Sequence, residues 1–298
     1  MKKYYFVITV SLLFTFSKPE AGITKNVVIV VIDGARYSET FGDSSHEYIP
    51  KIWKYLRPKG TLFTSVYIDG GLTETIPGHS SIITGTWQKI PNDGSKHPDK
   101  PTLFEYYRKQ YSCLKTDCYL ILGKEKLDII SYSTNREYGK RYASSVRISK
   151  EPSKDIETWL NTKEIMHEYQ PHVVLINFSA TDIAGHSKKW NYYTASLQKA
   201  DSLVYELWTF LQSNSSYRNN TIFVITTDHG RHSDRFWGHG CKCDGCKHVI
   251  LFISGPGVPE GKIDQRKYNQ IDILPTIGNL INLETPFSEG NKIEFISK

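Results

Sequence analysis

Short apolar, β-branched runs recur along the chain, and three of them stop abruptly before a carboxylate. Asn26-Val-Val-Ile-Val-Val-Ile32 leads into Asp33-Gly34-Ala35-Arg36. Residues 172 to 178 lead into Ser179-Ala-Thr-Asp182-Ile-Ala-Gly-His186. Ile222-Phe-Val-Ile-Thr-Thr leads into Asp228-His229-Gly230. Runs this short, apolar throughout and bounded by glycine, predict strands buried on both faces. A period-two pattern predicts a strand over 61–68, and shorter apolar runs predict strands over 118–122, 127–132 and 249–254. Helices are predicted over 50–56, 75–85, 102–110, 156–167 and 192–211. Strands alternating with helices predict an α/β fold with a central, mostly parallel sheet flanked by helices. No repeat, low-complexity tract or linker interrupts the pattern, so a single domain is expected.

In an open α/β sheet, ligands bind at the carboxyl ends of the strands. Asp33, Asp182 and Asp228 are all expected there. Asp182 and His186 are spaced i and i+4, so one helical turn sets them on one face. Asp228 and His229 together make a chelate for a hard-to-borderline cation. An isolated Asp33 has a second reading as a turn cap. Thr75 is predicted to cap a helix that carries Pro77 early and ends at Gly85. A hydroxyl at that end feels the positive pole of the helix, which favours an alkoxide or a bound phosphate.

The 298 residues are 39% hydrophobic and 23% charged, an ordinary globular composition. The net charge of +6 is mild and scattered, which argues against a nucleic-acid partner. Lys2 and Lys3 precede an apolar run over 4–16 that is short for a bilayer span. Residues 1–21 therefore read as a signal peptide, with 22–298 as the catalytic domain and a secreted or periplasmic location. No later run is long and apolar enough to cross a membrane, so no integral membrane segment is expected in the mature chain. Oligomeric state is not encoded in any pattern here.

An exported chain permits disulfides. Cys113 and Cys118 can pair across a turn, and two of Cys241, Cys243 and Cys246 can pair, leaving one odd. The run Cys241-Lys-Cys243-Asp-Gly-Cys246-Lys-His248 also resembles a small metal knuckle, although its spacing matches no standard one. It directly follows His239, so the loop is expected to hold that residue in place.

Three carboxylates and the histidines His186, His229 and His239 make a set sufficient for two zinc-type sites. Carboxylates brought together repel unless cations lie between them, and a dinuclear centre serves in-line displacement at phosphorus. With these pieces assembled, the chain resembles the alkaline phosphatase superfamily, most closely its nucleotide pyrophosphatase/phosphodiesterase-like branch. The resemblance runs from about residue 26 to 290. It rests on Asp33-Gly34, Thr-Glu-Thr75-Ile-Pro-Gly-His79, Asp182-Ile-Ala-Gly-His186, Thr-Asp228-His229-Gly230, His239-Gly240 and Gln270-Ile-Asp272-Ile-Leu-Pro275-Thr276, in the family's order.

The resemblance implies an alkaline phosphatase-like fold and a hydrolase of phosphoric esters with two divalent ions, zinc in kind. Asp33, Thr75, Asp228 and His229 would hold the ion that activates the nucleophile. Asp182, His186 and His239 would hold the ion that steadies the leaving group and later activates water. His239 is chosen over His232 and His248 because a glycine follows it. Thr75 would be the nucleophile, giving a phosphothreonine. Arg36, Asn92 and Lys124 are candidates for the residue that holds the phosphate of a small phosphorylated substrate. The sulfatase nucleophile pattern, Cys or Ser followed by x-Pro-x-Arg, does not occur, which argues against that branch. Neither the large inserted domain of cofactor-independent mutases nor the membrane helices of phosphoethanolamine transferases are present. The alternative is a non-catalytic surface protein of this fold that binds a phosphorylated or glycan ligand.

Overall fold

A strand that is apolar at every position must be covered on both faces, and β1 (Asn26–Ile32) is: all seven residues are buried. The computed structural model describes residues 26 to 296, residue 152 excepted, so the 1–21 segment lies outside the described residues. After β1 come β2 (Gly60–Tyr67), the helices α1 (Thr75–Thr84) and α2 (Leu103–Tyr111), and then β3 (Cys118–Leu122) and β4 (Ser145–Ile148). The middle of the chain holds α3 (Asp155–Glu168), β5 (Val173–Phe178), α4 (Ala180–His186), α5 (Trp190–Ser213) and β6 (Thr221–Thr226). The remainder is α6 (Asp244–Lys247), β7 (His248–Ser254), β8 (Lys262–Asp264), β9 (Tyr268–Asn269) and α7 (Ile273–Ile281).

These strands form one sheet in the order β4-β3-β5-β1-β6-β7-β2-β8, with β9 pairing β2. From β4 to β6 every pairing is parallel, and β7 runs antiparallel to both β6 and β2. Alternate residues of β1 point to opposite layers. Val27, Ile29 and Val31 pack with residues of α1, α2 and α7, among them Ile82, Leu103 and Ile277. Val28, Val30 and Ile32 pack with residues of α3 and α5, among them Trp159, Leu203 and Leu207. The result is the expected α/β domain, helices on both faces of a mostly parallel sheet.

Register decides where the polar strand ends meet. Ile32 pairs with Phe178, and Val31 with Thr226. Leu122 pairs with Asn177, and Gly123 N donates to the Asn177 carbonyl at 3.1 Å. The carboxyl ends of β3, β5, β1 and β6 therefore lie side by side on one edge.

Three local expectations differ from the structure. Residues 127–132 do not form a strand, because 125–131 is wound as a short 3-10 segment that buries Leu127, Ile129 and Ile130. Both edges of β3 are already occupied, by β5 and by β4, so that run cannot pair with the strand it follows. β4 was not predicted: it is four residues long and half exposed, so its pattern is weak. Thr75 is not the cap of α1 but its first helical residue. The cap is Glu74, in an extended conformation, whose carbonyl accepts from Gly78 N at 2.9 Å. Gly85 does end the helix, in the left-handed conformation, with φ of 64°. Among the described residues no helix is long and apolar enough to cross a membrane.

Candidate active site

The start of α1 is brought onto the strand ends by a close backbone approach. A Cβ on Gly78 would stand 2.2 Å from the Asp228 carbonyl oxygen, so only glycine lets the helix lie there. At the end of β1, Gly34 takes φ of +65° and its N–H donates to Asp228 Oδ1 at 3.0 Å. The turn after β1 is thereby tied to the turn after β6. Asn92 satisfies the helix start from outside, its Oδ1 accepting from Ile76 N at 2.9 Å.

Lys124, two residues beyond β3, lies at the centre of the cluster. Its Nζ donates to Asp33 Oδ1 at 2.9 Å and Asp182 Oδ2 at 2.7 Å, and lies 3.4 Å from Thr75 Oγ1. Burial alone would lower the pKa of Lys124, but the charges of Asp33, Asp182 and Asp228 outweigh it and raise it. Burial raises the Asp33 carboxyl above its ordinary value, and the Asp228 charge adds to this. For Asp182 burial also pulls upward, but Lys124, His186, His229 and Arg231 hold it well below the ordinary range. Asp228 is likewise held low against its burial, by His229 and His79.

The histidines offer free nitrogens to the same space. His229 Nδ1 meets the Gly230 carbonyl at 2.9 Å, which leaves Nε2 turned to the cluster. His239 Nδ1 meets the Thr73 carbonyl at 3.1 Å with the same result. Burial, with His229 beside it, pushes His239 down to about 3, so its ring is neutral at physiological pH. His186 Nε2 lies 3.1 Å from His239 Nε2 and 3.4 Å from Asp182 Oδ1.

A cation would account for what protein groups leave unsatisfied. Asp228 Oδ2 and His229 Nε2 are buried, aimed into the cluster and without a hydrogen bond. An orphaned buried polar group costs about 1–3 kcal/mol. Ligand atoms of Asp182, His186 and His239 lie within 4.8 Å of one another, as do those of Asp33, Asp182 and His229, and those of Asp33, His79 and Asp228. A carboxylate and imidazole set of this kind fits borderline divalent ions.

Asp33, Thr75, Asp182, His186, Asp228, His229 and His239 thus share one edge of the sheet, and Lys124 joins them. Asn92 sits at the start of α1, where Lys126 Nζ donates to its Oδ1 at 3.1 Å. Arg36 points elsewhere: its guanidinium pairs with Glu39 at 2.7 Å and donates to the His232 carbonyl at 2.6 Å. It anchors a loop and leaves no donor turned to Thr75.

Four contributors were not singled out from sequence. Arg231, fully buried, donates to Asp182 Oδ1 at 2.5 Å and to the Asp182 carbonyl at 2.7 Å. Asn177 Nδ2 donates to Asp33 Oδ2 at 3.0 Å and meets His79 Nε2 at 3.1 Å. His79 Nδ1 meets the Thr75 carbonyl at 2.8 Å and stands 3.3 Å from Asp228 Oδ2. Gln270 Nε2 holds the Thr227 and Asp228 carbonyls at 3.1 and 2.9 Å. The signals were present: an Arg after Asp-His-Gly, an Asn within a buried strand, a His four residues after Thr75.

This sheet order, with carboxylates and imidazoles at adjacent strand ends, is an alkaline phosphatase-like fold. The profile of the family described as Sulfatase matches residues 127–283, more than half of the chain, and the chain belongs to that family. The matched span contains Asp182 through Gln270; Asp33 and Thr75 precede it. A 2,3-bisphosphoglycerate-independent phosphoglycerate mutase of Ureaplasma urealyticum is 26% identical over 175 residues, 54% of this chain and 33% of that protein. A sulfatase of Formosa agariphila is 24% identical over 232 residues, 72% of this chain and 42% of that protein. The chain therefore spans between a third and a half of the length of these relatives.

A solved protein of the alkaline phosphatase superfamily from Vibrio parahaemolyticus superposes with a TM-score of 0.66 at 16% identity, covering 91% of this chain and 69% of its own. A mutant of the alkaline phosphatase PafA superposes with a TM-score of 0.67 at 10% identity, covering 90% of this chain and 98% of its own. At these identities the likeness is one of fold.

Proposed function

We propose that this chain hydrolyses phosphoester bonds, with Thr75 as nucleophile and two divalent ions of zinc type as cofactors. The observation that supports the reading is the gathering of carboxylates and imidazoles at one sheet edge, with Lys124 Nζ joining two of the carboxylates to the hydroxyl at a helix start. Asp33, Asp228 and His229, with Thr75, would hold one ion; Asp182, His186 and His239 would hold the other. When bound, such ions stabilise the negative charge that develops on oxygen during phosphoryl transfer.

The chain's own groups supply the rest. Thr75 Oγ gives up its proton and forms a bond to phosphorus as the bond to the leaving oxygen breaks, and the departing oxygen takes up a proton. Water then opens the phosphothreonine, returning the hydroxyl and releasing phosphate from a monoester substrate or a phosphate monoester from a diester. The positive end of α1 favours the anion at Thr75. Lys124 Nζ, 3.4 Å from that hydroxyl, is placed to meet a phosphate oxygen. Arg231 and Asn177 orient Asp182 and Asp33.

The family's name makes a sulfate ester the second substrate class to weigh. Against it, position 75 is Thr and position 79 is His, so Cys or Ser followed by x-Pro-x-Arg is absent. Zinc-loaded protein should be compared on p-nitrophenyl phosphate, bis-p-nitrophenyl phosphate and p-nitrophenyl sulfate. Turnover of a phosphate ester ahead of the sulfate supports the proposal. Sulfate preference overturns the substrate class, and inactivity on all three favours the non-catalytic binding protein. Export through residues 1–21 belongs to the same proposal; N-terminal sequencing of protein from its native host should begin near Gly22.

A further inference from the structure

A second group of metal-ligating side chains gathers outside the carboxylate cluster, in the loop between Gly230 and β7. His232 Nδ1 lies 3.0 Å from Cys241 Sγ, 3.5 Å from Cys246 Sγ and 3.9 Å from Cys243 Sγ. Cys241 Sγ and Cys246 Sγ are 3.5 Å apart. All four ligand atoms lie within 4.8 Å of one another. Zinc–sulfur bonds of about 2.3 Å and zinc–nitrogen bonds of about 2.0–2.1 Å, arranged tetrahedrally, put sulfurs roughly 3.8 Å apart and nitrogen roughly 3.5 Å from sulfur. Most of these atoms are already near that spacing.

The surrounding backbone is built for the cluster. Cys243 N–H donates to Cys241 Sγ at 3.2 Å, the kind of bond that steadies a thiolate. His232 N donates to the Gly238 carbonyl at 2.9 Å. A Cβ on Gly238 would stand 2.7 Å from the His232 ring, so glycine there makes room for it. His248, the histidine inside the cysteine-rich run, takes no part. Its Nε2 meets the Thr64 carbonyl at 2.9 Å, and its ring stacks on Tyr37 and Tyr67. The fourth ligand is therefore His232, nine residues before the first cysteine, where a reading of local spacing does not look.

We propose that the chain with reduced thiols binds one further ion of zinc type in a Cys3His site made by His232, Cys241, Cys243 and Cys246. The site is structural, because all four tetrahedral positions are filled by protein. Cys241 and Cys243 are joined as a disulfide in this structure, and Cys246 is free and buried. Metal binding requires thiolates, so that disulfide and the bound ion exclude one another. The ion closes a loop whose flanks carry Arg231, on Asp182, and His239, on Thr73. It is separate from the carboxylate cluster, and its test does not depend on turnover.

The test is a cobalt titration of metal-free protein kept under a thiol-free reductant. The expected result is a near-ultraviolet sulfur-to-cobalt charge-transfer band that saturates at one equivalent. The carboxylate and imidazole cluster contains no sulfur and cannot produce such a band. Cys246→Ser should weaken cobalt binding by more than the roughly 10–100-fold that loss of an outer partner costs. His232→Cys should retain the band, and replacing Cys113 and Cys118 with Ser should leave it unchanged. Zinc per chain should fall by one equivalent when Cys241, Cys243 and Cys246 are all replaced with Ser. Reduced wild-type protein lacking the band would overturn the site, and that measurement requires no variant to fold. Unchanged zinc content in a folded triple variant would overturn it equally.

Discussion

Lys124 Nζ lies 3.4 Å from Thr75 Oγ1 while it donates to Asp33 and Asp182, so one cation joins the hydroxyl to carboxylates from two adjacent strand ends. The lysine is 13% exposed, and Thr75 beneath it is 1% exposed.

Metal-free protein should depend on Lys124 for stability. Lys124→Met leaves Asp33 buried without its cation and Asp182 with Arg231 alone, a loss of about 3–5 kcal/mol for one partner of a buried pair. Divalent ions would supply the missing charge. Urea unfolding of chelated and zinc-loaded protein should show a large deficit for the variant in the first state and a smaller one in the second. Equal deficits in both states would mean that no ion binds among these carboxylates.

The nucleophile is tested by three variants at two hydroxyls. Thr75→Ala should lower the rate on a phosphodiester roughly a thousandfold, the scale of one central transition-state contact. Thr75→Ser keeps the hydroxyl and should keep measurable activity. Thr73 is the control: its Oγ1 donates to the Cys241 carbonyl at 2.9 Å. If Thr73→Ala were dead and Thr75→Ala active, the mechanism would have to be abandoned.

Arg231 should matter through Asp182. Arg231→Met removes a fully buried guanidinium that donates to the Asp182 carboxylate at 2.5 Å and to the Asp182 backbone carbonyl at 2.7 Å. The expected outcome is zinc affinity lowered by about 10–100-fold, as for other partners that orient a ligand. Zinc-binding isotherms of folded variant and wild type decide this, with Lys at the same position expected to recover part of the loss.

Asp155 sets a pH dependence of stability. Its Oδ1 accepts from Ala180 N at 3.0 Å at the start of α4, and its Oδ2 is buried without a partner. Burial pushes its carboxyl up to about 7, only partly offset by the bonds from Ala180 and Ser179. Between about pH 4 and 7 the folded chain then holds a proton that the unfolded chain has released. This group's contribution to stability therefore falls as pH rises through that window. Relative to wild type, Asp155→Asn should gain stability from pH 4 to 8, by up to about 4 kcal/mol. Parallel stability curves for the two proteins would show that Asp155 titrates as an ordinary carboxyl.

Much of the site was legible because buried parallel strands leave a strong local signal. A run that is apolar at every position, ending in Asp, reports both its burial and its polar end, and β1, β5 and β6 all carry it. The i, i+4 pair Asp182 and His186 was legible for the same reason, since helical spacing is local. Lys124, Arg231, Asn177 and Gln270 were at best weak candidates, because each acts on residues far away in the chain. What brings Lys124 and Asn177 to Asp33 is the register Ile32–Phe178 and Leu122–Asn177, and no local pattern encodes a register between strands so far apart.

The sequence by itself determined the α/β class, the buried strands, and the kinds of ligand available at their ends. It did not determine that Thr75 is a helical residue and not a cap, that Arg36 turns away to Glu39, or that His232 and not His248 joins the three cysteines. Those outcomes depend on close approaches such as Gly78 against Asp228 and Gly238 against His232. Such contacts form only when elements distant in sequence pack together, so tertiary structure alone decides them.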